Sequence, residues 1–180
     1  MIKKLLFITI LMLNFVFGAT YEDGKEAFDR KDYKTAFKIF EELYSKTKDF
    51  DQYELGYIYA NGDFLGEGLP LNIEKALNCY YNSASMGNVL AMFNLATTYD
   101  LGIIVKQNFK EAKKFYERAA IKGHLAAQYM LGNYYEEGKG VESDIEKAVK
   151  WYKTACDNNS SGIGFDFFKT EACEKLKIYK

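Results

Sequence analysis

Proline is almost absent, at one in 180 residues, and β-branched runs are few. Little in the chain therefore interrupts helices, and little favours strands. One histidine and three cysteines are too few for a His-rich metal centre or a zinc ribbon. Neither sign of charge is in excess, with 24 Lys+Arg against 25 Asp+Glu, which excludes a strongly electrostatic nucleic-acid binder. What is present points the other way. The 48% apolar share argues against disorder, and 17% aromatic is high for an ordinary domain. With 14 glycines as turn markers, the composition implies an all-helical chain. The length suits one domain or a short repeat array.

The first residues read as an address. Met-Ile-Lys-Lys is followed by an apolar run over 5–17 and then Gly18-Ala19. A two-lysine start, a short apolar stretch and small terminal residues predict a secretory signal over 1–18. Cleavage is expected after Gly18, with Ala19 as the alternative. The run is interrupted by Thr9 and Asn14 and is short for a bilayer span, so a retained anchor is the lesser alternative. No cysteine near that point suggests a lipoprotein. Loss of Lys3 and Lys4 leaves 22 basic against 25 acidic residues. That balance does not support binding to a membrane surface by basic charge. A periplasmic or secreted protein is expected, without stable membrane insertion after cleavage.

Self-comparison organises the rest. An offset of 36 carries Leu95-Ala96-Thr97-Thr98-Tyr99 onto Leu131-Gly132-Asn133-Tyr134-Tyr135. The same offset carries Gly102 to Gly138, Asn108 to Asp144, Ala112 to Ala148, Phe115-Tyr116 to Trp151-Tyr152 and Ala119 to Ala155. An earlier copy begins at Leu55-Gly56, with four extra residues in a Gly-rich loop over 62–70. In each copy, small and aromatic residues share one face at helical spacing. Small residues such as Ala112, Ala119 and Gly132 permit close helix approach, and Tyr99, Phe115 and Trp151 are the expected aromatic fillers. Asn108 and Asp144, or Ser143 with Glu146, supply N-caps for the second helices. Gly87 and Gly123 suit left-handed C-terminal positions, and Asn159 is expected to take that place in the last copy.

These residues resemble the Sel-one-like branch of the tetratricopeptide superfamily. Ala127, Leu131, Gly132, Tyr135, Gly138, Gly140, Val141, Asp144, Lys147, Ala148, Trp151, Tyr152 and Ala155 match its pattern. The first unit, with Tyr21, Gly24, Phe28, Tyr33, Ala36 and Phe40, is closer to an ordinary tetratricopeptide repeat. The resemblance covers roughly 20–157 plus a terminal helix near 168–179, and it is nearest to the secreted cysteine-rich members from spiral Gram-negative bacteria. It implies an all-α fold, a right-handed α-solenoid of helix–turn–helix repeats with a terminal capping helix. The expected units are 19–50, 51–87, 88–123 and 124–159, with a loop and capping helix over 160–180.

The same resemblance implies a disulfide between Cys156 and Cys173, the alternative being two buried thiols. Closing a loop of this size is worth roughly 3 kcal/mol. Cys79 aligns with Phe115 and Trp151 and is expected to be a packed, unreactive thiol. Some cysteine-rich relatives are described as penicillin-binding proteins or β-lactamases, which makes a β-lactamase-type hydrolase the alternative function. Ser45-Lys46-Thr47-Lys48 fits Ser-x-x-Lys formally, but that serine must begin a helix beside Ser-Asp-Asn and Lys-Thr-Gly elements. Ser45 follows Phe37, Phe40 and Leu43 and is expected at a helix end. Ser143-Asp144-Ile145 lacks the Asn, and no Lys-Thr-Gly occurs. His124 reads as a first-turn polar residue. Glu136-Glu137 reads as solvated charge.

No catalytic residue, metal or cofactor is therefore expected, and the candidate site is a surface. In tetratricopeptide arrays the first helices line a groove. Tyr53, Tyr57 and Asn61, then Phe93 and Thr97, then Tyr129, Asn133 and Glu136 fall at those positions. Aromatic and amide side chains suit a protein or a peptidoglycan-derived ligand. The alternative is that these aromatics pack between neighbouring helices.

Overall fold

The structure, a computed structural model, describes residues 18–65, 68–103, 105–160 and 164–179. The expected export signal falls on 1–17 and so lies outside the described residues. Among the described residues there are nine α-helices, one short 3-10 turn and no strand. The fold is all-α, a succession of helix–turn–helix repeats of the solenoid class. No described helix is long and apolar enough to cross a membrane. The chain divides into two compact units, with the boundary between Asn82 and Ser83.

The first unit holds α1 (Tyr21–Asp29), α2 (Tyr33–Lys46), α3 (Tyr53–Asn61) and most of α4 (Ile73–Met86). A capping box starts α1, with Thr20 and Asp23 satisfying each other's backbone N–H groups. Asp32 caps α2 by accepting from Thr35 N at 3.1 Å. The helices meet at small residues. A Cβ on Gly24 would lie 2.7 Å from the Phe40 ring, and one on Gly56 would lie 3.0 Å from Tyr80. Cys79 is buried, and burial pushes its thiol up to about 12, so it is packed and unreactive.

The second unit holds the end of α4, then α5 (Val89–Leu101), α6 (Phe109–Ile121), α7 (Leu125–Glu137), α8 (Ile145–Asp157) and α9 (Phe165–Ile178). Side chains of Asn88, Asn108, His124 and Asp144 cap α5 to α8 in turn. Gly102 and Gly138 end α5 and α7 in the left-handed region. The expected left-handed Asn159 is not found. Helix α8 ends instead at Asn158 with extended backbone (φ −68°), and Lys31 is the one described non-glycine residue with positive φ. Asn158 uses its amide to hold the chain, donating to Gly123 O at 3.0 Å and Gln128 Oε1 at 2.8 Å. The last helix starts at Phe165, three residues earlier than expected.

One backbone bond recurs in all three long repeats. The N–H of Asn72 donates to Tyr59 O (3.0 Å), that of Asn108 to Tyr99 O (2.9 Å) and that of Asp144 to Tyr135 O (2.8 Å). Each donor residue also caps the helix that follows, so the turn closes identically despite the four extra residues in the first copy. Of the expected core aromatics, Phe115 is buried but Tyr99 and Trp151 are only half-buried, and Tyr116, Tyr134 and Tyr152 are fully buried. Tyr116 and Tyr152 reach the first helix of their own repeat, at Asp100 and at Asn133 and Glu136.

Gly132 marks the tightest approach, because a Cβ there would stand 2.3 Å from Tyr152 Cε1. Gly132→Ala is expected to destabilise the fold by roughly 1–3 kcal/mol through overpacking. This outweighs the gain of up to about 1 kcal/mol in helix propensity. Thermal melting followed by circular dichroism checks it, and a raised melting temperature would contradict the close approach.

Candidate functional site

The expected surface residues occupy first helices, and the two units are taken separately. In the first unit, Tyr53 packs its ring 5.9 Å from Tyr80, and Tyr57 lies edge-on to Phe28 at 5.5 Å. Asn61 donates from its amide to Tyr57 O within its own helix. In the second unit, Phe93 stacks on His124 with centroids 4.4 Å apart, and Thr97 donates to Phe93 O. Tyr129 sits 5.9 Å from Tyr152 and 5.7 Å from Phe168. All eight residues are half-buried and none is exposed. The expected open face is therefore largely a packing layer, because aromatics on first helices fill the gap to the next helix.

Glu136 is a correction. Rather than solvated, its side chain is 17% exposed and is a hub. It accepts from Tyr152 OH at 2.5 Å, from Lys175 Nζ at 2.7 Å and from the Tyr179 hydroxyl. Burial raises its carboxyl, but these three donors outweigh it and hold the group below the usual carboxylate range. Asn133 is tied into the same network, accepting from Tyr152 OH at 2.7 Å. Both side chains thus have hydrogen-bond partners within the protein.

The repeat offset exposes the same device one copy earlier. Asp100 stands 36 residues before Glu136 and accepts from Tyr134 OH (2.6 Å) and Tyr116 OH (3.3 Å). A related set ties first helices to the second helix before them: Tyr59 donates to Glu41, and Tyr135 donates to Glu117 at 3.2 Å. Sequence reasoning missed these bonds. The signal available was the offset itself, which pairs Asp100 with Glu136 as it pairs Tyr116 with Tyr152.

Two further features were missed. Helix α9 carries Phe165, Phe167 and Phe168, which extend the first-helix aromatics. Phe165 lies edge-on to His124 at 5.9 Å, and Phe168 meets both Tyr129 and Phe167. Phe167 is 60% exposed and is the open end of this aromatic series. His124 lies buried between Phe93 and Phe165, and its Nδ1 accepts from Ala127 N at 3.3 Å. Burial lowers its pKa to about 4, so the neutral imidazole is the cap.

Cys156 and Cys173 are joined in a disulfide with Cα atoms 5.0 Å apart, which fastens α9 to α8. Ser45 sits in the last turn of α2 with Oγ donating to Glu42 O at 2.7 Å. Among the described residues no cluster of His, Cys, Asp and Glu could hold a metal ion.

The Sel1 repeat family matches residues 51–88, 89–124 and 125–160. No curated protein matches the chain. Among solved structures, a Sel1 repeat protein from Oxalobacter formigenes is 29% identical with a TM-score of 0.60, covering 87% of this chain and 96% of that one. A protective antigen of uropathogenic Escherichia coli strains, which displays an SLR fold, is 25% identical with a TM-score of 0.60. That match covers 89% of this chain and 36% of the antigen. Helicobacter pylori cysteine rich protein B is similar in fold, at 21% identity and a TM-score of 0.54, over 88% of this chain and 98% of that one.

Two outcomes follow from the packing around α7 and α9. The neutral His124 is favoured by folding, so its contribution is complete above the unfolded pKa near 6.5 and is lost as pH falls towards about 4. The loss reaches up to about 3 kcal/mol at the acid end. His124→Asn, which restores the cap used at Asn88, is expected to flatten that part of the stability–pH profile in urea melts. Equal acid sensitivity of both proteins would count against it. Separately, Cys156→Ser with Cys173→Ser is expected to cost roughly 3 kcal/mol and to make α9 the first site of limited proteolysis. Mass mapping of the first cut reads this, and a first cut in the interior of α7 would contradict it.

Proposed function

The chain belongs to the Sel1 repeat family, and on that premise we propose that it is an exported helical-repeat scaffold that binds a protein partner through its first helices. The observation that carries this is the aromatic series in the second unit. Phe93, His124 and Phe165 form one run, and Tyr129, Phe168 and Phe167 another, ending at the 60% exposed Phe167. Half-buried, pre-ordered aromatics with one exposed member provide an anchor at low entropy cost. A peptidoglycan-derived ligand would draw on the amides, but Asn133 and Asn61 spend hydrogen bonds internally. That favours a protein partner over a glycan.

Export is supported by two features. One is the signal-like pattern over 1–18 in the sequence. The other is the Cys156–Cys173 disulfide, a bond that persists in oxidising compartments. A hydrolase reading gains nothing from Ser45, which is exposed in the last turn of α2, whereas the serine of Ser-x-x-Lys begins a helix.

A photo-crosslinking amino acid placed at Phe167 is expected to give a discrete adduct in the envelope fraction. The same group at Lys114, on the exposed face of a second helix, should give none. Equal labelling from both positions, or none from Phe167, would remove the first-helix reading. Nitrocefin turnover by the purified protein that disappears in Ser45→Ala would replace the scaffold by a hydrolase.

A further inference from the structure

The segment after α8 carries two overlapping matches to the Asn-x-Ser/Thr acceptor of N-linked glycosylation. They are Asn158-Asn159-Ser160 and Asn159-Ser160-Ser161, and neither has proline in the middle. No other asparagine of the chain meets the pattern. A glycan is bulky and solubilising, so it needs a surface position outside regular structure. Helix α8 ends at Asp157, and residues 158–160 are not helical. The sequence leaves two acceptors in this segment, and their surroundings in the fold separate them.

Asn158 is half-buried and its side chain is spent. Its Nδ2 donates to Gly123 O at 3.0 Å and to Gln128 Oε1 at 2.8 Å, and its Oδ1 accepts from Ser160 N at 2.8 Å. A carboxamide nitrogen has two hydrogens, and an N-linked sugar replaces one of them. A sugar on Asn158 would therefore break one of these bonds. It would also have to enter beside Gln128, which is 4% exposed, and stranding that buried acceptor carries a desolvation cost. Asn159 is exposed, so its carboxamide can give up a hydrogen without stranding a buried partner. The flanking sequence makes the same choice. Asp157, two residues before Asn159, is acidic and exposed, and bacterial oligosaccharyltransferases read an acidic side chain at that place. Two residues before Asn158 stands Cys156, which is held in the disulfide.

We propose that Asn159 is the acceptor of an N-linked glycan, added by an oligosaccharyltransferase in the compartment to which the chain is exported. The co-substrate is a saccharide carried on a polyprenyl diphosphate lipid. Asn159 Nδ2 attacks the anomeric carbon of the first sugar. The new C–N bond forms as the bond from that carbon to the diphosphate oxygen breaks, and the lipid diphosphate leaves with the electron pair. The carboxamide loses one proton to a base of the transferase, and nothing is oxidised or reduced. This chain supplies the exposed carboxamide, the acidic Asp157 and the hydroxyl two residues on, at Ser161. Ser161 lies outside the described residues and takes part here by its place in the sequence. The proposal rests on export of the chain and does not depend on the first-helix aromatics.

The test is mass spectrometry of the full chain isolated from the envelope fraction of its own cells. Reduction and trypsin release the peptide 154–169, between Lys153 and Lys169, which holds both acceptors. That peptide is expected to carry a saccharide mass increment, which electron-transfer fragmentation places on Asn159. Asn159→Gln should remove the increment and leave helical content unchanged. Ser161→Ala should also remove it. Ser160→Ala, which breaks only the Asn158 acceptor and spares the Asn158 side chain, should retain it. An increment on Asn158, Ser160 or Ser161 would overturn the proposal, as would one that survives Asn159→Gln. An unmodified peptide from an exported chain, with its disulfide formed, would overturn this proposal and leave export standing. A chain found only in the cytoplasmic fraction, with residues 1–18 intact, would overturn export and this proposal together.

Discussion

Tyrosine is the filler of this core, and its hydroxyl is the constraint on which the packing depends. Tyr116, Tyr134 and Tyr152 are among the largest fully buried side chains, and each carries a polar atom that must find a partner inside the protein. The partner is a carboxylate in the last turn of a first helix: Asp100 for Tyr116 and Tyr134, Glu136 for Tyr152. Burial and the neighbouring carboxylate both raise these phenols, so the hydroxyls remain protonated and keep donating. The aromatic body supplies the buried area, and the charge-assisted bond sets how far one helix can slide along the next. Glycine or alanine opposite the ring sets how close it can come, as at Gly132.

The end of the second unit follows the same rule. Asp100 takes a tyrosine from the next first helix, Tyr134, and Glu136 requires the same of whatever follows it. Tyr179, directly after α9, meets that need, and Lys175 of α9 adds an ion pair to the half-buried carboxylate. The disulfide between Cys156 and Cys173 fastens the same helix to α8. Hydrogen bond, ion pair and covalent link thus converge on α9 and the residue that ends it.

The first-helix aromatics are a packing layer whose outermost member, Phe167, is open, so binding there would extend an existing stack.

The helix order, the caps at Asn108 and Asp144 and the close approach at Gly132 were legible in the sequence. They depend on spacing along a single helix or on residue types with one strong local preference. The same periodicity could not decide which of the adjacent aromatics Trp151 and Tyr152 is the buried one. At 100° per residue both border the apolar face, and only the position of the partner helix separates them. Nor could it show Glu136 as a hub, since its donors Tyr152, Lys175 and Tyr179 come from two other helices. The helix ending at Asn158 has the same cause: its local preference is a left-handed turn, and two acceptors far away in sequence, Gly123 and Gln128, overrode it. Local spacing by itself determined the repeat and its helices. Contacts distant in sequence, available only once the helices had packed, decided which polar groups are buried, which are paired and which remain open to a ligand.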